Sequence, residues 1–402
     1  MSSPTQNPIR TRRVFYIPGY DPIHPRRYRE LYRKEAAEQA RISGYDIDLK
    51  AKPKSDRYGW TVSAEIDGTH TETDFEVLVW SDIVRDSMDT GIVGTYAALA
   101  KTAWVYIASG ALFRLMRLRK GPVIAALYPV GFLLVQLAIA LGLAYGAGRA
   151  LEMIHPWLSW TGLILVPVVL EWFRRKDNKF FAYYLMHDYA YSARHRGAEP
   201  PELQARMADF TRAIAEAMET DVDEVLVVGH SSGAHLAVSV LSDVIRAGGA
   251  AGKTPQLSFL SLGHVVPMVS FLPDAHRLRR DLNYLCAHDD LVWIDVTAPG
   301  DGCAFALCDP VKVSGVAPED QRWPLVISAA FTQTLSEKRW KELRWRFFRL
   351  HFQYLCAFDR PRDYDYFQIT AGPMSLASRF DGRAPSPSRI EAPVNRFTDM
   401  AA

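Results

Sequence analysis

From Gly121 to Gly148 the chain carries no charged side chain over 28 residues, and Leu127, Phe132, Leu133, Leu134, Val135, Leu137, Ile139, Leu141 and Leu143 fall inside that run. An α-helix needs about 20 apolar residues to cross a bilayer, so the run predicts a membrane span over about 122–148. The alternative is a buried helix of a soluble core, and few soluble cores contain so long an uncharged stretch. A second uncharged run, Met153 to Leu170, is 18 residues long and holds Pro156 and Pro167. It predicts a shorter span over about 153–171, since prolines are tolerated in membrane helices. Only four residues separate the two runs, Arg149 and Glu152 among them, which predicts a tight helical hairpin. Gly91 to Phe113, charged only at Lys101, reads as a segment lying along the bilayer surface.

The flanks orient the hairpin. Arg114, Arg117, Arg119 and Lys120 precede the first run, and Arg174, Arg175, Lys176 and Lys179 follow the second. Positive charge is retained on the cytoplasmic side, so both ends of the hairpin are expected there. Trp157, Trp160 and Trp172 lie near the ends, where aromatic rings favour the interface. Met1 to Arg13 is polar and basic, without the apolar stretch of a secretory signal. The expectation is a multi-pass protein of the cytoplasmic membrane whose remaining mass faces the cytoplasm. Cys286, Cys303, Cys308 and Cys356 are then expected to be reduced.

Outside the membrane runs, the most specific motif is Gly229-His230-Ser231-Ser232-Gly233, which reads G-x-S-x-G. Glu224 to Val228 before it is short, apolar and β-branched, and Ala234 to Val238 after it suits a helix. In a strand–turn–helix setting this motif exposes the serine hydroxyl at the end of a sheet. A strand-to-helix loop whose serine caps the helix is the plainer alternative.

On these residues the chain resembles the α/β-hydrolase superfamily of esterases, lipases, thioesterases and peptidases, in scattered blocks from residue 13 to about 370. The resemblance implies an α/β fold, a mainly parallel sheet flanked by helices. It also implies a nucleophile, an acid and a histidine in that chain order. Ser231 is then the nucleophile. Asp301, in the turn Ala298-Pro299-Gly300-Asp301-Gly302 after a strand at 291–297, is the favoured acid, with Asp295 and Asp309 as alternatives. His351 alone among the eleven histidines follows Asp301 and is the expected base, with His264 as its rival and His230 as a local packing residue. Arg346 to Leu350 would form the last short strand, and His351-Phe352-Gln353-Tyr354 gives an H-x-x-Y pattern similar to several lipases and esterases. Trp340 to Phe358 read as one continuous helix is the competing possibility. The backbone N–H groups of Ser232 and of Tyr20, in the loop Pro18-Gly19-Tyr20 after a strand at 13–17, are the expected oxyanion donors.

The remaining sequence narrows the function. A formal charge of +2 and the lack of a basic stripe outside the membrane flanks give no footing for nucleic acid. There is no H-E-x-x-H and no G-x-x-x-x-G-K-[ST], and Cys303 and Cys308 lack a zinc-site spacing, so no metal or cofactor is expected. The organisation expected is an N-terminal part of the hydrolase-like domain (1–90), a membrane insertion (91–180), a second part with the nucleophile (181–380) and a loose tail (381–402). The insertion leaves from the carboxyl edge of the sheet, where Ser231 must also stand, which places the site near the bilayer. The expected activity is cleavage of a lipophilic carboxylic ester. Thioesterase or acyltransferase chemistry on the same residues, or a non-catalytic scaffold, are the other readings, and the oligomeric state is left open.

Overall fold

The computed structural model describes residues 8–52, 57–249 and 255–401. Eight strands form one sheet: β1 (Thr11–Ile17), β2 (Asp46–Ala51), β3 (Gly59–Ile66), β4 (Thr69–Val77), β5 (Glu224–His230), β6 (Gln256–Leu262), β7 (Leu291–Thr297) and β8 (Leu325–Ser328). Their spatial order is β2-β3-β4-β1-β5-β6-β7-β8. The pairs from β4 through β8 are all parallel, and β3 pairs antiparallel with both β2 and β4. β5 is buried along its whole length, as expected of a strand covered on both faces.

Alternation along each strand divides the core into two layers. Phe15, Ile17, Val227, Phe259 and Trp293 point to one face, against the Pro201–Met218, Ser232–Arg246 and His276–Leu285 helices. Val14, Tyr16, Val228, Leu260 and Val296 point to the other, against the Arg26–Ser43 helix and the segment 350–380. A fully buried ion pair ties the sheet to that segment. Arg12 Nε donates to Glu224 Oε2 at 2.6 Å. The Arg12 guanidinium also donates to the carbonyls of Gly372 and Met374, and Glu224 Oε1 accepts from Ser258 Oγ and the Leu376 amide.

β4 runs from Thr69 to Val77, and Asp67 and Gly68, both at positive φ, make the tight turn that joins it to β3. Two sequence expectations are corrected. Arg346–Leu350 is not a strand. Phe347–His351 is a helical turn and β8 is the last strand, because so short an apolar run fits either period and long-range pairing decides. The tail 381–402 is not loose through residue 401. Asn395 Nδ2 donates to the carbonyls of Ser270, Ser314 and Phe397, and the Asp399 carbonyl accepts from Arg279 Nε. Composition does not register such backbone-directed polar contacts.

Two helices are long and apolar enough to cross a membrane, Lys120–Glu152 with 33 residues and Pro156–Arg175 with 20. They pack with their backbones close together. A Cβ on Gly162 would stand 2.4 Å from the Ala144 carbonyl oxygen, and one on Gly148 would stand 2.7 Å from that of Ser159. Small residues permit this kind of contact between apolar helices. At 1.5 Å per residue the first helix is about 50 Å long, well beyond a hydrocarbon thickness of about 30 Å. Its first turns therefore belong to the root of the hairpin. There Arg119 Nε donates to the Ala306 carbonyl at 2.7 Å, and the Gly121 backbone lies against Gly302, with room of only 3.4 Å for a Cβ.

The buried ion pair yields a test. Arg12→Leu leaves Glu224 buried without its cation and is expected to lower stability by about 3–5 kcal/mol, read as thermal unfolding in detergent. An unchanged melting curve would remove the pair from the list of interactions that hold the sheet.

Candidate active site

The turn after β5 carries the least relaxed backbone of the site. Ser231 adopts φ 56° and ψ −121°, a region that side-chain-bearing residues rarely occupy and that persists only where the surroundings impose it. The surroundings do so through glycine. A Cβ on Gly233 would stand 2.1 Å from the Ile17 carbonyl oxygen, and one on Gly229 would stand 2.8 Å from Ala234 Cα. The Ser231 amide donates to the Leu262 carbonyl at 2.9 Å, which anchors the turn to the end of β6. The Ser231 side chain makes no capping bond to the helix it precedes. The capping alternative is therefore not realised, and Ser231 is partly exposed.

The Gly19–Tyr20 loop at the end of β1 lies directly on this turn: a Cβ on Gly19 would be 2.9 Å from Ser231 Cβ and 3.4 Å from its Oγ. Neither the Tyr20 N–H nor the Ser232 N–H has an acceptor among the described residues. Ser232 is the first residue of its helix, where amides are left without an intrahelical partner. Trp80 Nε1 donates to the Pro18 carbonyl at 2.9 Å and the Tyr184 hydroxyl donates to the Tyr20 carbonyl, so the loop is braced from both sides.

Asp301 and His351 meet at the same edge. His351 Nδ1 and Asp301 Oδ2 are 2.7 Å apart. The Tyr354 hydroxyl donates to the same oxygen at 3.0 Å, and the Cys303 amide donates to Oδ1 at 2.9 Å. Tyr354 is itself fixed, its hydroxyl accepting from the Ala298 amide. Burial acts to raise the Asp301 carboxyl, but the His351 charge and these hydrogen bonds outweigh it and hold the carboxyl below its ordinary range. The His351 ring packs on that of His230 at 4.9 Å between centroids, and its Cε1 lies 3.2 Å from where a Cβ on Gly263 would stand. His351 Nε2 is buried and without a partner, and no hydrogen bond joins it to Ser231 Oγ.

The rival residues are placed elsewhere. His264 Nε2 faces the Cys308 carbonyl at 3.0 Å and Asp295 Oδ2 at 3.7 Å. Asp295 is fully buried and accepts from Ser261 Oγ. Asp309 caps the helical turn at Pro310–Val313. His230 faces the His351 carbonyl through Nε2, and burial first, then the His351 charge, pushes its pKa down to about 3, so it is neutral. Asp301, Cys303 and His351 offer three ligand atoms within 4.8 Å of one another. Burial raises the Cys303 thiol well above its ordinary range and the Asp301 oxygens are already occupied by donors, so the set fits a hydrogen-bonded pair better than a metal.

One acidic residue was not legible in the sequence. Asp188, on the Ala182–Arg194 helix that follows the hairpin, lies near enough to His351 to feel its charge. Burial pushes its carboxyl up to about 7, against the His351 charge that lowers it. A cavity of about 450 Å³ lies at the amino-terminal ends of β7 and β8; Asp309 lines it, and Ser231, Asp301, His351 and Asp188 do not.

Searches of protein-family models, curated proteins and solved structures find no match to this chain. Its function has to be inferred from the geometry.

Asp188 yields a pH prediction. A carboxyl raised from 3.8 to about 7 keeps its proton between those values only in the folded state, so folding loses stability as pH rises through that window and levels off above it. Asp188→Asn removes the titration. Its stability relative to the wild type is expected to rise from about pH 4 to pH 7, followed by melting temperature in detergent. A difference independent of pH would show that Asp188 titrates as an ordinary carboxyl.

Proposed function

We propose that this protein is a membrane-bound serine hydrolase that cleaves a lipophilic carboxylic ester through an acyl-enzyme, and that it is a membrane-inserted relative of the α/β-hydrolases. The observation that carries this reading is the convergence of four chain segments at the carboxyl edge of one sheet. These are the strained Ser231 turn after β5, the Gly19–Tyr20 loop after β1, Asp301 after β7, and His351. A parallel sheet brings its catalytic loops together at that edge.

Each group then has a role. Ser231 Oγ attacks the ester carbonyl while His351 Nε2 takes its proton. Asp301 holds the Nδ1–H and stabilises the imidazolium, and its ionised state suits that task. The Tyr20 and Ser232 amides receive the oxyanion. Collapse expels the alcohol with the proton from His351, and water repeats the sequence to release the acid. The proton bond between Ser231 and His351 tightens when substrate fills the site, as is common when unliganded sites have long or absent catalytic hydrogen bonds. Thioesterase or acyltransferase chemistry would use the same groups with a different leaving group or acceptor. The unpartnered His351 Nε2 favours one further reading, a hydrolase-like scaffold without turnover.

The membrane setting supports a lipophilic substrate. Both roots of the hairpin adjoin the site: Gly121 lies against Gly302, next to Asp301, and Phe181 packs on Phe348 at 4.8 Å. Trp345 and Phe347, just before His351, are 72% and 48% exposed. With the basic flanks on the cytoplasmic side, these rings would meet the cytoplasmic leaflet.

A fluorophosphonate probe separates enzyme from scaffold. Labelling is expected at Ser231 and is lost in Ser231→Ala. Ser231→Ala and His351→Ala should each lower turnover by about 10³-fold or more, and the double variant should be little worse than either, because the residues act as a unit. An inert Ser231 in folded protein would favour the scaffold.

The substrate class is tested separately by comparing a long-chain ester in vesicles with a short soluble ester. The long-chain ester should be preferred, since partitioning concentrates it by about 0.8 kcal/mol per methylene. A consistent preference for the soluble ester would reject the bilayer-facing site and leave the three catalytic assignments standing.

A further inference from the structure

Beside the Ser231 turn lies a small, partly open cavity of about 30 Å³ walled in part by Tyr20, Trp80, Asp188, Tyr191, Ser232 and His235. That volume admits one or two water-sized groups and excludes a long acyl chain. Its wall is mainly apolar, and three polar groups on it, from Asp188, Tyr191 and His235, lack partners. Asp188 receives no hydrogen bond from any described residue. The Tyr191 hydroxyl and His235 Nδ1 are both buried without one. Burial holds His235 down at about 4, so its ring is neutral. Native interiors rarely leave several such groups unsatisfied around one space, because each costs free energy that a bound group could recover. The same cavity touches Tyr20 and Ser232, whose amides are the proposed oxyanion donors, so its occupant lies within a few bonds of the ester carbonyl.

We propose that this cavity is a subsite for one hydrogen-bond-donating group, a hydroxyl or an ammonium, on the alcohol portion of the ester. The inference rests on the serine-hydrolase reading above. The acyl part of a lipophilic ester is apolar and too large for the space, so it stays on the bilayer side, and the polar alcohol enters. Asp188 accepts the donated hydrogen bond. Tyr191 donates to a bound hydroxyl, and the neutral His235 ring completes its shell. The site thereby selects a lipid by its polar end: an acylated polyol or amino alcohol is accepted, and an alkyl ester of the same acid leaves Asp188 and Tyr191 unmet. Discrimination of this kind is strong, because the analogue without the polar group strands the groups built to bind it.

The test uses the full-length protein in mixed vesicles, with three esters of one long-chain acid: glycerol, 3-aminopropanol and propanol. The expected wild-type result is a kcat/KM for the glycerol or aminopropyl ester at least about tenfold above the propyl ester. In Asp188→Leu that ratio should fall toward one. Asp188→Asn preserves shape and an acceptor oxygen, so it should retain part of a hydroxyl preference and lose an ammonium preference. It also carries the test if the leucine variant does not fold. The glycerol and aminopropyl arms show which donor the site takes. A wild-type ratio near one, or a ratio that Asp188→Leu leaves unchanged, overturns the subsite. Fluorophosphonate labelling of each preparation separates the two levels. Labelled protein without discrimination rejects the subsite alone, whereas protein inert to the probe and to all three esters rejects the hydrolase and the subsite together.

Discussion

The backbone of Ser231 is the constraint on which the rest of the site depends. A side-chain-bearing residue at φ 56° costs on the order of 1–3 kcal/mol and needs its neighbours to hold it there. Here they do so by closeness. Gly233 touches the end of β1, Gly229 touches the start of the following helix, and Gly19 lies on the serine. A side chain at Gly233 would drive into the Ile17 carbonyl, one at Gly229 into Ala234, and one at Gly19 into Ser231 itself. The same tightness turns the hydroxyl away from the helix terminus and presents it at the sheet edge beside the two unpartnered amides.

Buried polar groups are handled in two ways in this molecule. In the sheet, Arg12 and Glu224 are both fully buried, and each is further satisfied by neutral partners. That network welds β1, β5 and β6 to the C-terminal segment. At the carboxyl edge, Asp301 is equally well satisfied, while His351 Nε2, Asp188 and the Tyr191 hydroxyl are left open.

The two long apolar helices and the site share their anchoring points. The first helix is rooted on the loop that carries Asp301, through Arg119 and Gly121. The second returns into Phe181 and the Ala182–Arg194 helix, which supplies Tyr184 to the Tyr20 loop and Asp188 to the cavity. Movement of the hairpin roots would therefore be felt directly at both Asp301 and the Gly19–Tyr20 loop.

Local patterns sufficed for several features. The uncharged run 121–148, the β-branched stretch before Gly229 and the Pro-Gly-Asp-Gly sequence at Asp301 identified the long apolar helix, the central strand and the turn after β7. Each of these depends on residues adjacent in the chain. Chain order also singled out His351, although the element expected around it was wrong: its backbone is helical because Leu350 and His351 turn inward onto the core while Phe347 stays exposed. Tertiary structure alone decided the rest. Asp188 had no local signature, since its importance comes from its unpartnered place beside Ser232, 44 positions away in the chain. Neither the meeting of Gly121 with Gly302 nor the fastening of the tail by Asn395 is visible in composition. Those contacts join residues far apart in sequence, and hydrophobic periodicity reports which face of an element is buried without reporting what it is buried against.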